Sequence, residues 1–198
     1  MTAPTSTTRP ATAGYTTLWG TTALASNTSD LDEVHQAYAL AFRGESWSRL
    51  LKAGAAWHES VAASLYQAPV VDALASHLER GNEVVFVSGS WAPCLEPIAD
   101  YLGVRTVIQS VPRLDDDGDT LSGSFEIMML GSRKSAAVQA HAAQIGADLD
   151  SAYAYADHPS DEPFLRAVGH PTVVGEDRYL RELATANGWS ALPRTLRS

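Results

Sequence analysis

Val84-Val85-Phe86-Val87-Ser88-Gly89-Ser90 decides the fold. Four consecutive β-branched or aromatic residues without polar alternation suit a parallel strand covered on both faces. The run stops at Ser88-Gly89-Ser90, and Pro93 follows near the first turn of a helix carrying Leu95, Ile98, Ala99 and Leu102. Gly103 ends that helix, and Val104 to Ile108 is a second short strand. Upstream, Val70, Val71, Leu74 and Leu78 form an apolar stripe that ends at Gly81. Residues 70–108 therefore read helix, strand, helix, strand, the order of an α/β crossover.

The alternation continues in both directions. A short strand is expected at 15–19, with Gly20 as its turn signal. Leu31, Val34, Tyr38 and Phe42 recur at helical steps, and Gly44 is a natural stop. Ser46 is placed to cap the next helical segment, which carries Leu50, Leu51 and Trp57. Downstream, Asp115-Asp116-Asp117-Gly118-Asp119 is a turn between extended segments. Strands are expected at Phe125 to Leu130, Ala152 to Ala156 and Thr172 to Val174. Helices are expected at Lys134 to Ile145, Glu162 to Val168 and Tyr179 to Ala186. The fold class is α/β with a mostly parallel sheet.

Composition narrows the function. The chain has 198 residues, 45% of them hydrophobic, enough for one globular domain. A net charge of −9 argues against a surface that coats nucleic acid. The single cysteine, Cys94, excludes an intrachain disulfide and a cysteine-cluster zinc site. No apolar run reaches the length of a membrane span, and the first residues lack a signal-peptide plan. The expected setting is a reducing cytoplasm.

Three segments carry chemistry. Ser88-Gly89-Ser90 ends a buried strand before a helix, where backbone donors and the helix dipole favour an anion; a plain strand-to-helix turn is the alternative. Gly131-Ser132-Arg133-Lys134 opens a helix with a lysine against the helix dipole, a hint of work for its ammonium; a solvated lysine is the alternative that this motif alone favours. Tyr155-Ala156-Asp157-His158-Pro159-Ser160-Asp161 sets two carboxylates four apart beyond a strand, a spacing able to hold a hard cation. Asp161 could instead cap the helix starting at Glu162. His158 sits between the aspartates, whereas His35, His77 and His141 read as surface or boundary residues on helices.

In that order, and with Val168-Gly169-His170-Pro171, these segments resemble the haloacid dehalogenase (HAD) superfamily, specifically its phosphoserine-phosphatase-like branch. The resemblance covers about residues 14–192. It implies a Rossmann-like core (13–21 and 67–198) and a short helical cap inserted after the first strand (22–66); residues 1–12, mostly Thr, Pro and Ala, are expected to form a disordered tail on composition. It also implies a phosphate-binding serine at Ser88, a phosphate-binding lysine at Lys134, a metal-binding aspartate at Asp157 and a second acidic residue at Asp161.

The first motif departs from the family. Aspartate-x-aspartate-glycine-threonine is replaced by Thr17-Leu18-Trp19-Gly20-Thr21. Thr17 then stands for the nucleophile that would form the aspartyl-phosphate, and Trp19 for the general acid and base. Threonine has no low-pKa oxygen, and an indole offers only an N–H donor. Magnesium is therefore expected to bind weakly or not at all. The expected catalytic residues are Asp157, Lys134 and His158, with Asp157 and Lys134 as an ion pair. Thr17, Trp19, Ser88, Gly89, Ser90 and Asp161 are expected to bind a small-molecule ligand.

Three readings follow. One is a repurposed enzyme of biosynthetic metabolism, catalysing a cyclisation, isomerisation or elimination. The second is a non-catalytic, ligand-binding pseudo-phosphatase, and the third a residual phosphomonoester hydrolase.

Overall fold

The structure is a computed structural model that describes residues 31–194, apart from the side chains of residues 63–65. The expected strand at 15–19, with Thr17 and Trp19, and the expected tail at 1–12 lie outside the described residues.

Two helices come first, α1 (Leu31–Ala41) and α2 (Trp47–Leu65), followed by α3 (Ala68–Glu79). The α/β alternation then runs β1 (Val85–Ser88), α4 (Ala92–Leu102) and β2 (Thr106–Gln109). An antiparallel hairpin follows, β3 (Val111–Leu114) with β4 (Leu121–Ile127). The remainder is α5 (Ser132–Ile145), β5 (Tyr153–Ala156), the short α6 (Glu162–Leu165), β6 (His170–Val174), α7 (Arg178–Asn187) and β7 (Ser190–Leu192).

β1 pairs in parallel with β2, Val85 opposite Thr106 through Ser88 opposite Gln109. β5, β6 and β7 form a second parallel set in that order. All four residues of β1 are half-buried, so neither face is left to solvent, as the unbroken apolar run requires. The strand expected to reach Leu130 stops at Ile127. Beyond it, the Met129 N–H turns to the Ser110 hydroxyl (3.0 Å), and Met129 and Leu130 go into the interior. β7, with three mostly exposed residues, has no apolar pattern to announce it.

Two apolar clusters hold these parts. Under β5 and β6, Ala154, Ala156, Val173, Leu165, Leu180 and Ala184 are buried together. The other cluster surrounds Trp91, which is 1% exposed. The rings of Tyr38 and Phe42 stand 5.3 Å from it, Trp47 5.6 Å and Phe125 6.0 Å. Tilted and edge-on geometries prevail, the arrangement ring quadrupoles favour. Trp91 thus joins α1, α2 and the hairpin to the strand-end loop that begins α4.

The expected cap at Ser46 forms, and the acidic turn reinforces it. Ser46 Oγ accepts from Arg49 N (3.3 Å) and donates to Asp119 Oδ2 (2.6 Å), while Asp119 Oδ1 accepts from Ser48 N (2.8 Å). The Ser46 hydroxyl and these backbone donors hold the Asp119 carboxyl below the usual carboxylate range.

His77, read as a surface or boundary position, is 8% exposed in the last turn of α3. Its Nδ1 faces Asn82 Nδ2 (3.0 Å) and an Arg80 guanidinium nitrogen (3.2 Å), and its Nε2 faces the Tyr155 hydroxyl (3.0 Å). Arginine and amide nitrogens only donate, so Nδ1 accepts and the ring is neutral, with Nε2–H donating to Tyr155. Burial first, then Arg80, hold its pKa below the ordinary value of 6.5. The unfolded chain therefore binds this proton more readily than the fold does. The stability contributed is complete above about pH 6.5 and is lost as pH falls below it. Urea midpoints measured from about pH 8 to pH 5 should fall on acidification, and His77→Gln should flatten that slope. An unchanged slope in the variant would refute the assignment.

Candidate functional site at the carboxyl ends of β1 and β5

Ser88 closes β1, and its Oγ accepts from the Ser90 N–H (3.1 Å), so the hydroxyl folds over the loop. Ser110, fully buried, rivets that loop to its neighbours. Its Oγ donates to the Gly89 carbonyl (2.7 Å) and accepts from Met129 N, and its own N–H donates to the Ser90 carbonyl (2.9 Å). Gly89 has no room for a side chain. A Cβ there would meet Leu130 Cδ2 at 2.5 Å and His35 Nε2 at 3.2 Å. The loop 88–90 is thus pressed between α1 and the approach to α5. Burial pushes the Cys94 thiol up, partly countered by Ser90 and Trp91, so Cys94 is not an activated nucleophile.

Lys134 lies in the first turn of α5, against the helix dipole, and is 9% exposed. Its partner is Asp161, with Nζ to Oδ1 at 2.6 Å and both side chains 11% exposed. This corrects two expectations. Asp161 occupies the cap position of α6 but makes no side-chain cap bond, because its carboxylate is spent on Lys134. The ion pair expected between Lys134 and Asp157 is not made. The 3-10 turn Pro159–Asp161 carries Asp161 back onto α5, whereas Asp157, first after β5, is exposed and pairs with Arg194 beyond β7 (3.0 Å). His158 is also exposed. Its Nδ1 accepts from Ser160 N (3.2 Å) and lies 2.8 Å from Ser160 Oγ, so it caps the turn.

The structure therefore gathers Ser88, Gly89 and Ser90, and separately Lys134 with Asp161, at strand ends joined by the 128–131 segment. Asp157 and His158 are exposed at the end of β5. Thr17 and Trp19 lie outside the described residues.

The sequence reading missed three groups. Asp32, in the first turn of α1, takes Arg133 in a two-point bond (3.1 and 2.9 Å), which holds its carboxyl below the usual range. His35, one turn on, lies over Gly89. Arg194 engages Asp157. Asp32 and His35 are three apart, on one helix face, a spacing that groups them without saying what that face meets.

Among the described residues no group of three or more His, Cys, Asp or Glu side chains converges on one point. Asp157 is a lone carboxylate beside a guanidinium, and Asp161 is turned to Lys134. The arrangement instead suits an anion, met by serine hydroxyls, the uncapped start of α5 and the N–H groups Lys134 retains beyond its bond to Asp161. No helix among the described residues is long and apolar enough to cross a membrane.

The model of the haloacid dehalogenase-like hydrolases matches residues 4–166. An "Inhibition of morphological differentiation protein" of Streptomyces azureus is 40% identical over 116 residues, 59% of this chain and 42% of that one. A "Probable phosphatase" of Mycobacterium tuberculosis is 38% identical over 125 residues, 63% of this chain and 43% of that one. The chain thus matches less than half the length of either. A crystal structure of a protein of unknown function from Bordetella pertussis superposes with a TM-score of 0.71 at 25% identity, over 89% of this chain and 79% of that chain. A substrate-bound phosphoserine phosphatase complex superposes with a TM-score of 0.66 at 15% identity, over 90% of this chain and 80% of that one, a likeness of fold.

Proposed function

The chain belongs to the haloacid dehalogenase-like hydrolases, and on that premise we propose that it handles an anionic, phosphate-bearing small molecule without the magnesium-assisted aspartyl-phosphate cycle. The observation that carries this reading is the fate of the two loop carboxylates. Asp161 is committed to Lys134 inside the protein, and Asp157 is left single, facing Arg194. The sequence adds Thr17 and Trp19 where the family's two aspartates stand.

The groups proposed to act are the site's own. The Ser88 hydroxyl and the start of α5 hold the anionic group, and Lys134 supplies positive charge held in place by Asp161. The Asp157–Arg194 pair is about half exposed, so separating it costs only about 0–1 kcal/mol. Asp157 is therefore free to meet a ligand as a base. That suits proton-transfer chemistry on a small molecule, an isomerisation, cyclisation or elimination. A weakly held Arg194 does not itself keep magnesium out. The low carboxylate count makes the site a poor host for a hard cation.

A residual phosphatase is the second reading, favoured by the relative named a probable phosphatase. An aryl phosphate assayed with magnesium separates them. The proposed outcome is no turnover above that of Thr17→Ala, and magnesium affinity no tighter than millimolar. Turnover of about 1 per second or more, with magnesium affinity that disappears in Asp157→Asn, would overturn the proposal in favour of hydrolysis.

A further inference from the structure

His35 was passed over as a boundary residue, yet it is the imidazole seated on the strand-end loop. One hydrogen bond sets the tautomer of its neutral form. Nδ1 lies 2.9 Å from the Leu31 carbonyl, one helical turn back. A carbonyl can only accept, so Nδ1 carries the proton and the lone pair of the neutral ring is on Nε2. Nε2 in turn lies 3.2 Å from where a Gly89 Cβ would be, and it makes no hydrogen bond among the described residues. The ring is half-buried. A packing role would be served equally by an apolar side chain. Here a basic nitrogen with a fixed lone pair faces the loop that offers serine hydroxyls, and Gly89 is bare at the point where the ring approaches.

The charged surroundings are nearly balanced. Asp32, on the same helix, acts electrostatically on the ring, and its charge is shared with Arg133 from α5. Lys134 is the next residue of α5, already paired with Asp161. The loop 88–90 carries no charge, the nearby Cys94 thiol is held protonated, and Glu126, on the strand against which α1 packs, is exposed. Among the described residues, no carboxylate other than Asp32 is placed to neutralise an imidazolium. A dianion entering between Ser88 and α5 would supply that partner.

We propose that His35 is a ligand contact of this pocket, taking up a proton on Nε2 when a dianion binds and donating the resulting N–H to it. The proposal rests on the anion-pocket reading above and adds a residue from α1, an element that contributed none of the expected site residues. Proton uptake makes binding pH-dependent in one direction, tighter as pH falls.

Sulfate is the probe, because it stays a dianion across the range in which histidine titrates. Titrations at constant ionic strength should show affinity about tenfold higher near pH 6 than near pH 8. In His35→Gln the two affinities should coincide, close to the wild-type value at the higher pH. The ring nitrogens of His35, followed by 15N NMR in the wild-type protein near pH 7, should pass from the Nδ1–H tautomer to the doubly protonated ring as sulfate saturates. This measurement decides the matter even if the variant folds poorly. Ser88→Ala should weaken sulfate at both pH values and leave their ratio intact. Sulfate binding with equal affinity at both pH values, or a ring that stays neutral at saturation, overturns the role of His35 and leaves the pocket standing. Failure of the wild-type protein to bind sulfate at either pH overturns the pocket and this proposal with it.

Discussion

Lys134→Met should lower stability by about 3–5 kcal/mol, because it strands the Asp161 carboxylate in the interior. The two groups are 2.6 Å apart, with side chains only 11% exposed, so little water can replace the lost partner. For a chain of this length that is a fall in melting temperature of roughly 10 °C. The pair itself contributes less than its rupture costs, since burying both charges carries a desolvation penalty. Lys134→Met combined with Asp161→Leu should therefore recover most of the loss. Arg194→Ala provides the contrast. Its bond to Asp157 is as well formed, at 3.0 Å, but the side chains are 62% and 49% exposed, and the expected loss is under about 1 kcal/mol. Urea unfolding of the four proteins is the measurement. A loss below about 1 kcal/mol in Lys134→Met would show that water reaches the pair and would remove the reason for treating Lys134 as held in place by Asp161.

The difference between these two pairs also marks where sequence reading stops. Val84 to Val87 announced β1 because a run with no polar position fits a strand covered on both faces, and the parallel pairing with β2 bears this out. Ser46, Pro93 and Gly103 marked helix ends by local chemistry, and each stands at one. Partner choice among charges is different. Asp157 and Asp161 are the same residue type only four residues apart, and nothing in their spacing tells which one meets Lys134. The 3-10 turn between them decides it, by carrying one carboxylate inward and leaving the other outside. His35 was illegible for a related reason. It lies 54 residues before Gly89 in the chain, and a helical histidine beside exposed positions carries no mark of what the helix will lie upon. Asp32 and Arg133 stand in separate segments and meet only in the fold.

Gly54→Ala should cost about 1–2 kcal/mol, although alanine is the better helix former. Gly54 is buried within α2, facing the first turn of α4. A Cβ there would lie 1.8 Å from the Pro93 carbonyl oxygen and 2.6 Å from its carbon. These are backbone atoms of a helix, not the end of a flexible side chain, so α2 and α4 must move apart. Alanine returns up to about 1 kcal/mol of helix propensity, too little to offset a collision that overpacking data place at about 1–3 kcal/mol and occasionally more. The displacement does not stay local. Pro93 is two residues from Trp91, around which Tyr38, Phe42, Trp47 and Phe125 close, and three residues from Ser90 in the strand-end loop. Moving α4 therefore loosens the aromatic cluster and shifts Ser88 and Gly89 relative to His35, so sulfate affinity should fall together with stability. Gly81→Ala separates crowding from backbone strain. Gly81 has a φ of +75° with open space around its Cβ position, so alanine there meets only the left-handed backbone, a penalty of about 1–2 kcal/mol. It should leave sulfate binding untouched. If Gly54→Ala proved as stable as the wild type, with unchanged sulfate affinity, the close crossing of α2 and α4 would not be what positions the site.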